Sequence, residues 1–437
     1  MASTYLTKTF STPTNRKKWT VSVWLKLLEN TSYAGILDSG GDNAFIINSD
    51  NTFYCFENGG ANMYLRPNML FRDYNAWYHL VYAVDTTQAS SGDRAKMYVN
   101  GEQITSFITQ TQPSLNYESV FNNASTRYIG RNVAQGGYWN GSMAHYHFID
   151  GTQYAASDFG QTDSTTGIWI PKTAPSVTYG NNGFFLKFEN SAAMGTDSSG
   201  NGNDFSLGGG TLTPTKDTPT NNFPTWNRVD KDGVASLTNG NLTFTSSASG
   251  GSSNTNMGMY AGKWYFEVKH TSVNNAWLGI VPQNLYKFGT DLFTANYTAG
   301  VYAGNPNLYL NGVSQGSLGG GLTTNDIIMY AVDMDNNQIY IGKNGNWNDG
   351  LAGGFDQADF SNANAYSFNR YDDFYVLAGV NGSGSTGYAH QTNFGNGYFG
   401  TTAVSSGNAD GDGYGTFEYA PPTGYYALCT KNIASYG

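Results

Sequence analysis

Apolar and polar residues alternate along most of the chain, and segments with helical spacing and capped ends are nearly absent. The stretch WTVSVWLKL places Trp19, Val21, Val23, Leu25 and Leu27 on one face of a strand. AWYHLVYAVD, from Ala76 to Asp85, reads as a buried strand. AKMYVNGEQI, beginning at Ala95, is strand, Asn-Gly turn, strand, the strongest short hairpin signal there is. NLYLNGVSQG from Asn307 repeats the device, and QIYIGKNGNW from Gln338 repeats it with an expected slightly longer loop. Strands at this spacing predict antiparallel sandwiches.

Composition turns this pattern into an organisation. The 437 residues exceed what one sandwich usually needs and suffice for two cores. Between about Phe205 and Asp230 the sequence LGGGTLTPTKDTPTNNFPTWNRVD is rich in Pro and Gly and poor in apolar residues. It reads as a linker, with a boundary near residue 225. The expectation is an all-β chain of two antiparallel β-sandwich (jelly-roll) domains in tandem: 1–204, a linker 205–228, and 229–437. Charged residues make up only 12% and aromatics 15%, with 55 Gly and 32 Tyr. This is the vocabulary of strands and tight turns, and of surfaces that bind sugars or proteins through ring faces and amides. The net charge of −10 and the lack of a basic stripe argue against nucleic acid as partner. No apolar run approaches a membrane span, and the N-terminal residues read as strand rather than signal peptide. Cys55 and Cys429 lie far apart and read as buried thiols.

Particular segments carry resemblances. WTVSVWLK, WYHLVYAVD, AKMYVNG and YIGRN (Tyr128–Asn132) together resemble a laminin-G-like domain of the concanavalin A-like lectin/glucanase fold, over the first half of the chain. GKWYFEV (Gly262–Val268), WLGI (Trp277–Ile280), YAVDMDNNQIYIGKNG (Tyr330–Gly345) and TNFGNGYF (Thr392–Phe399) resemble a SPRY (B30.2-like) domain. The run AHYHFIDGTQYAASDFGQTDSTTGIWIPK, then YGNNGFFLKFENSAAMGTDSSGNGNDFS, then DTPTNNF, is similar to virion proteins of marine and freshwater tailed phages. A SPRY domain behind a laminin-G-like domain implies a protein built for contact rather than catalysis.

Several segments carry candidate chemistry. GTDSSGNGND offers Asp197, Asn201, Asn203 and Asp204 to a cation, but lacks the acidic last ligand of an EF-hand, so a turn is the favoured reading. Asp410 and Asp412 in NADGDGYG read the same way, because Pro421 would occupy the last ligand position. The laminin-G resemblance implies calcium at a rim loop, where Asp38 and Asp42 fit by rough position only; no cofactor or metal is otherwise expected. Glycoside hydrolysis needs paired carboxylates, and the acidic triplet of the fold's hydrolases is missing. Asp333 and Asp335 are the nearest pair, with Asp335 expected to bond the turn backbone. His145 and His147 share a strand face without zinc-like spacing, and no nucleophile elbow is present.

For binding, aromatics between strands are informative, because sugar C–H faces stack on rings. Tyr138 and Trp139 in QGGYWNG, Trp347 in KNGNWNDG, and Tyr371 with Asp372 in FNRYDDFY are the candidates, each with core packing as its bland alternative. The expected function is a non-catalytic virion surface protein of a tailed phage. It would be made in the host cytoplasm and be a tail fibre, tail tip or head decoration. Its expected partners are host surface polysaccharide and other virion proteins. Homo-oligomerisation, with a trimer among the options, follows from virion symmetry. The alternatives are a polysaccharide-degrading enzyme of the same fold and a cellular SPRY-type binding module.

Overall fold

The structure, a computed structural model, describes residues 3–273, 275–286, 295–382 and 387–437. The chain divides into two compact units, Met1–Pro214 and Thr215–Gly437. Both are built of sheets that are antiparallel except where Tyr426–Ala427 pairs in parallel with Lys263–Ser272, so the all-β reading stands.

Among the described residues of the first unit, one sheet has eight strands. Their order is Phe107–Thr111, Met63–Pro67, Phe53–Glu57, Ala44–Ile47, Ala34–Asp38, Thr126–Ile129, Tyr5–Thr9 and Ser206–Gly209. The other runs Phe184–Leu186, Gly141–Asp150, Lys18–Leu27, Trp77–Asp85, Ala95–Val99, Glu102–Gln103. Inward residues of both sheets make one core. Trp19, Val21, Val23, Leu25 and Leu27 meet Phe45, Ile47, Phe53, Cys55 and Leu65 there, as period-two alternation requires. The outward residues Thr20, Ser22, Trp24 and Lys26 are buried as well, which alternation alone does not predict. The chain after Asp150 covers them: Thr20 donates to the Thr152 carbonyl at 2.9 Å, and the Tyr154 amide donates back to the Thr20 hydroxyl at 2.9 Å.

In the second unit the described residues form a seven-stranded sheet and a larger one. The first is ordered Trp226–Lys231, Ser252–Thr255, Tyr375–Asn381, Ala276–Pro282, Ala299–Tyr302, Asn307–Leu310, Val313–Ser317. The second is centred on Lys263–Ser272 and Ile327–Asp333. Trp226, Trp264, Phe266, Leu278, Tyr330 and Leu377 fill the space between them.

The three Asn-Gly hairpins form as their chemistry demands. Asn100 and Gly101, Asn311 and Gly312, and Asn344 and Gly345 all have positive φ, the mark of a two-residue type I′ turn. The third loop is therefore no longer than the others, with Lys343 directly opposite Asn346.

The stretch 205–228 differs from a free linker. Ser206–Gly209 pairs with Tyr5–Thr9 at the edge of the first unit, while Phe223 and Trp226 are buried in the core of the second. The Gly- and Pro-rich composition reflects a strand edge and tight local turns rather than a solvated tether. Cys55 and Cys429 are free and buried. No helix among the described residues is long and apolar enough to cross a membrane.

Candidate functional site

The acidic loops are turns that hold the chain together. Asp197 accepts from the Phe185 and Ser199 amides at 2.8 Å with one oxygen, and from the Asn203 amide at 2.8 Å with the other. Asp204 accepts from the Asp197 amide at 2.7 Å. Asn201 and Asn203 donate to the Gly183 carbonyl at 2.9 and 2.8 Å. The loop thus clamps the segment before Phe184 onto the sheet. Asp410 does the same near the C-terminus, accepting from the Gly415 and Ala427 amides at 2.8 and 2.9 Å and from Asn432 at 2.8 Å. Asp38 is buried and accepts from the Gly40 and Val133 amides at 2.5 and 3.1 Å; burial pushes its carboxyl up, against those bonds. Among the described residues no cluster of three metal-ligating side chains occurs.

The carboxylates Asp333, Asp335 and Glu267 are committed to structure. Asp333 forms an ion pair with Lys263 at 2.8 Å and accepts from the Asp335 and Asn336 amides at 3.1 and 2.9 Å. It is therefore Asp333, not Asp335, that bonds its own turn. Asp335 instead accepts from the amide of Gly262, just before the neighbouring strand, at 2.9 Å. Glu267 is buried and accepts from the Tyr419 and Glu418 amides at 2.7 and 3.0 Å, and burial pushes it up to about 7.

One arrangement invisible to sequence reading looks like part of a hydrolase. Ser22 Oγ lies 2.8 Å from His79 Nε2. The Trp169 indole donates to His79 Nδ1 at 3.0 Å. An indole N–H can only donate, so Nδ1 must accept and Nε2 must carry the proton. His79 therefore donates to Ser22 and cannot remove its proton, the reverse of what an activated serine needs. Both residues are buried, beneath Trp169. His147 is likewise turned to structure, with Nδ1 2.9 Å from the Tyr179 hydroxyl. A bulge separates it from His145, which has φ of 45°, so the two do not share a regular strand face.

The aromatic candidates separate by residue type. Trp139 packs inward against Phe53, with ring centroids 6.3 Å apart. Trp347 is buried against Tyr265 and Phe360, over Gly342 on the strand opposite. Trp347 is a core residue, and Trp139 is a partly buried one that packs against the core. Tyr138 stays at the surface beside the Arg131 guanidinium, 5.7 Å from its ring centre.

Tyr371 and Asp372 belong to a surface that the sequence only half revealed. Asp372 accepts from the Tyr260 hydroxyl at 2.9 Å, which holds that phenol above its usual range. The Tyr260 ring packs against Phe374 at 5.5 Å, and these rings are 46% and 53% exposed. The Arg370 guanidinium lies 5.0 Å over the Tyr260 ring and donates to the Tyr260 and Met334 carbonyls. Tyr371 is partly buried against Tyr297 and donates its amide to the Tyr375 hydroxyl at 2.9 Å. The Met259–Tyr375 bridge and the Gln283 amide on the Phe374 carbonyl, all at 2.8 Å, fix the backbone beneath. Exposed rings held rigidly, with a carboxylate and a guanidinium at their edge, can stack on a flat apolar face and bond hydroxyls or amides around it. Tyr260, Arg370 and Phe374 escaped sequence reading because 110 residues part Tyr260 from Arg370. A polar cleft of about 770 Å³ in the first unit, lined by Ser11, Thr178, Tyr179, Asn181, Ser199 and Asn201, is the weaker candidate. Its Asn201 amide and Ser199 hydroxyl are already engaged within the clamp.

Residues 2–155 match the concanavalin A-like lectin/glucanases superfamily model named Laminin_G_3. No curated protein matches the chain. Among solved structures, the SPRY domain of human HERC1 is 18% identical, covering 38% of this chain and 96% of that one, with a TM-score of 0.29. A candidate carbohydrate binding protein from Bacteroides ovatus is 14% identical, covering 47% of this chain and 56% of that one, with a TM-score of 0.36. The heptameric SAP-like pentraxin of Limulus polyphemus is 17% identical, covering 35% of this chain and 71% of that one, with a TM-score of 0.25.

Proposed function

We propose that this chain is a non-catalytic adhesion protein that attaches to surface glycans and is displayed on the virion of a tailed phage. The observation that carries the adhesive part is the exposed Tyr260–Phe374 ring pair, edged by Arg370 and Asp372. Large exposed rings held by a hydrogen-bonded frame are costly to leave in water and suit a partner that stacks. The concanavalin A-like match lies in the first unit, over residues 2–155, and supports glycan binding by the chain rather than by this surface in particular. Structural commitment of Asp333, Glu267 and the Ser22–His79 pair supports binding without turnover. The virion part rests on the resemblance of the 144–223 segments to phage virion proteins. Assembly contacts with other virion proteins and self-association belong to this reading.

Four measurements test it. Glycan-array binding of the full chain should show retained glycans, and Phe374→Ala should weaken that binding at least tenfold. Binding of peptides with no glycan retained would replace the glycan reading with a protein-binding surface on the same residues. Release of shortened products from a retained polysaccharide would overturn the non-catalytic reading. Gold-labelled antibody on intact particles should decorate the tail or the head, and no label would remove the virion role.

A further inference from the structure

The outer face of the eight-stranded sheet in the first unit carries a second aromatic group, built around a cation. The Arg131 guanidinium lies 4.9 Å from the Tyr5 ring centre, 5.8 Å from that of Tyr128 and 5.7 Å from that of Tyr138. Tyr5 and Tyr128 stand on adjacent strands, with rings 6.0 Å apart, and Tyr138 approaches Tyr5 at 6.3 Å. Each of these four residues is half-buried, so the cluster keeps some contact with solvent.

The cluster is held firmly. Arg131 and Tyr138 face each other across an antiparallel bridge. The loop between them is closed by the Asn132 amide on the Gly137 carbonyl at 2.7 Å and tied to the sheet by the Val133 amide on Asp38 at 3.1 Å. It passes so close to the strand below that a Cβ on Gly35 would lie 2.1 Å from the Arg131 carbonyl carbon. On the far side, Tyr5 rests on Gly208, where a Cβ would sit 2.2 Å from the ring.

What sets Arg131 apart is that its contacts are with rings. Arg66 bonds Asp50, Arg16 bonds Glu118, and Arg127 is buried among carbonyls. The Nε of Arg131 is buried with no hydrogen-bond acceptor. Asp38, whose charge Arg131 influences, is taken by two backbone amides. Three rings therefore fix a planar fork of donors that lacks an acceptor at its buried atom. Such a fork matches a carboxylate in bidentate fashion, and the flanking rings offer faces to the C–H side of a pyranose. The chain's net charge of −10 opposes anions only at long range. At physiological salt it is screened beyond about 8 Å, so the adjacent guanidinium dominates.

We propose that Arg131, Tyr5, Tyr128 and Tyr138 form a binding site for a uronic-acid residue of an acidic glycan, with the sugar carboxylate on the Arg131 guanidinium and its ring on the tyrosines. This rests on the glycan-adhesion reading but uses a different surface, in the first unit.

The test is calorimetric titration of the full chain with an oligogalacturonate and with a neutral malto-oligosaccharide of equal length. The oligogalacturonate should bind and the neutral one should bind at least tenfold more weakly, with affinity falling as salt rises. Arg131→Gln should lower oligogalacturonate affinity at least tenfold, Arg131→Lys should recover only part of it, and Tyr138→Ala should lower it severalfold with an unchanged melting temperature. Tyr138→Ala keeps the test decisive if Arg131→Gln fails to fold. Oligogalacturonate binding that is absent, matched by the neutral sugar or indifferent to both substitutions overturns the proposal, as does a sulfated neutral oligosaccharide outcompeting the uronate. Phe374→Ala in the same titration should leave uronate binding intact. Neutral glycans bound through Phe374 with no uronate binding would sink this site alone, whereas no glycan bound by either surface would sink the adhesion reading with it.

Discussion

In the first unit, two of the surface tyrosines stand on paired strands, Tyr5 and Tyr128, and a tight bridged loop adds Tyr138 and Arg131. In the second unit the rings stand on connections, Tyr260 before Lys263–Ser272 and Phe374 before Tyr375–Asn381. Strand pairing and one bridged loop fix the first set, and its contacts converge on Arg131, so losing that side chain removes all three cation–ring contacts at once. The second set depends on cross-bonds between distant loops: Arg370 to the Tyr260 carbonyl, and Asp372 to its hydroxyl.

The comparison breaks most visibly at the two tryptophans. Trp347→Ala should destabilise the second unit by about 3–5 kcal/mol, the usual cost of emptying a core ring site. Trp139→Ala, at a partly buried position, should cost the first unit about 1–2 kcal/mol. Denaturant melts followed by circular dichroism check both, and equal small costs would return Trp347 to the surface.

A second contrast is electrostatic. Burial holds all five histidines below their usual range, His270 at about 4 and His390 well below 6.5. A histidine kept neutral when folded but free to protonate when unfolded stabilises fully above about pH 6.5. That contribution is lost as pH falls from 6.5 toward the folded value. Glu267, raised to about 7, acts oppositely: its contribution is present below about 4.5 and lost as pH rises through 7. His390 is the clean probe, because both ring nitrogens are buried without a partner. His390→Phe should gain about 2 kcal/mol at pH 5 relative to pH 8, with little change in the first unit. Thermal melts across that range measure it, and an unchanged pH slope would mean that the imidazole is not held neutral.

The smallest expected effect is Phe374→Ala on stability, within about 0.5 kcal/mol, because the ring is 53% exposed. A cost of several kcal/mol in a melt would make Phe374 a packing residue and leave the second unit without its platform.

Adjacent residues explain what was legible. In an extended segment neighbours point to opposite faces, so Tyr138 and Trp139 could not both face solvent. The larger apolar ring went in. Trp347 lies opposite Gly342, and the space that this glycine leaves beneath the tryptophan marks an inward position. Tyr371 and Asp372 were found because they lie together in sequence, but Tyr260 and Phe374 become neighbours only through the Met259–Tyr375 bridge. The Ser22–His79 contact was unreadable for the same reason: 57 residues separate them, and a third segment supplies Trp169.

Alternation and Asn-Gly turns settle by local physics which residues of a strand face inward and where hairpins close, because side-chain period and positive φ are properties of a few adjacent residues. An all-β chain of sandwiches, its hairpins and the inward face of Lys18–Leu27 are therefore already legible in the local pattern. Which aromatic is buried, which imidazole nitrogen holds the proton and which arginine meets only rings were decided by tertiary structure. Those outcomes depend on segments tens to hundreds of residues apart meeting in space, and no local pattern encodes that meeting.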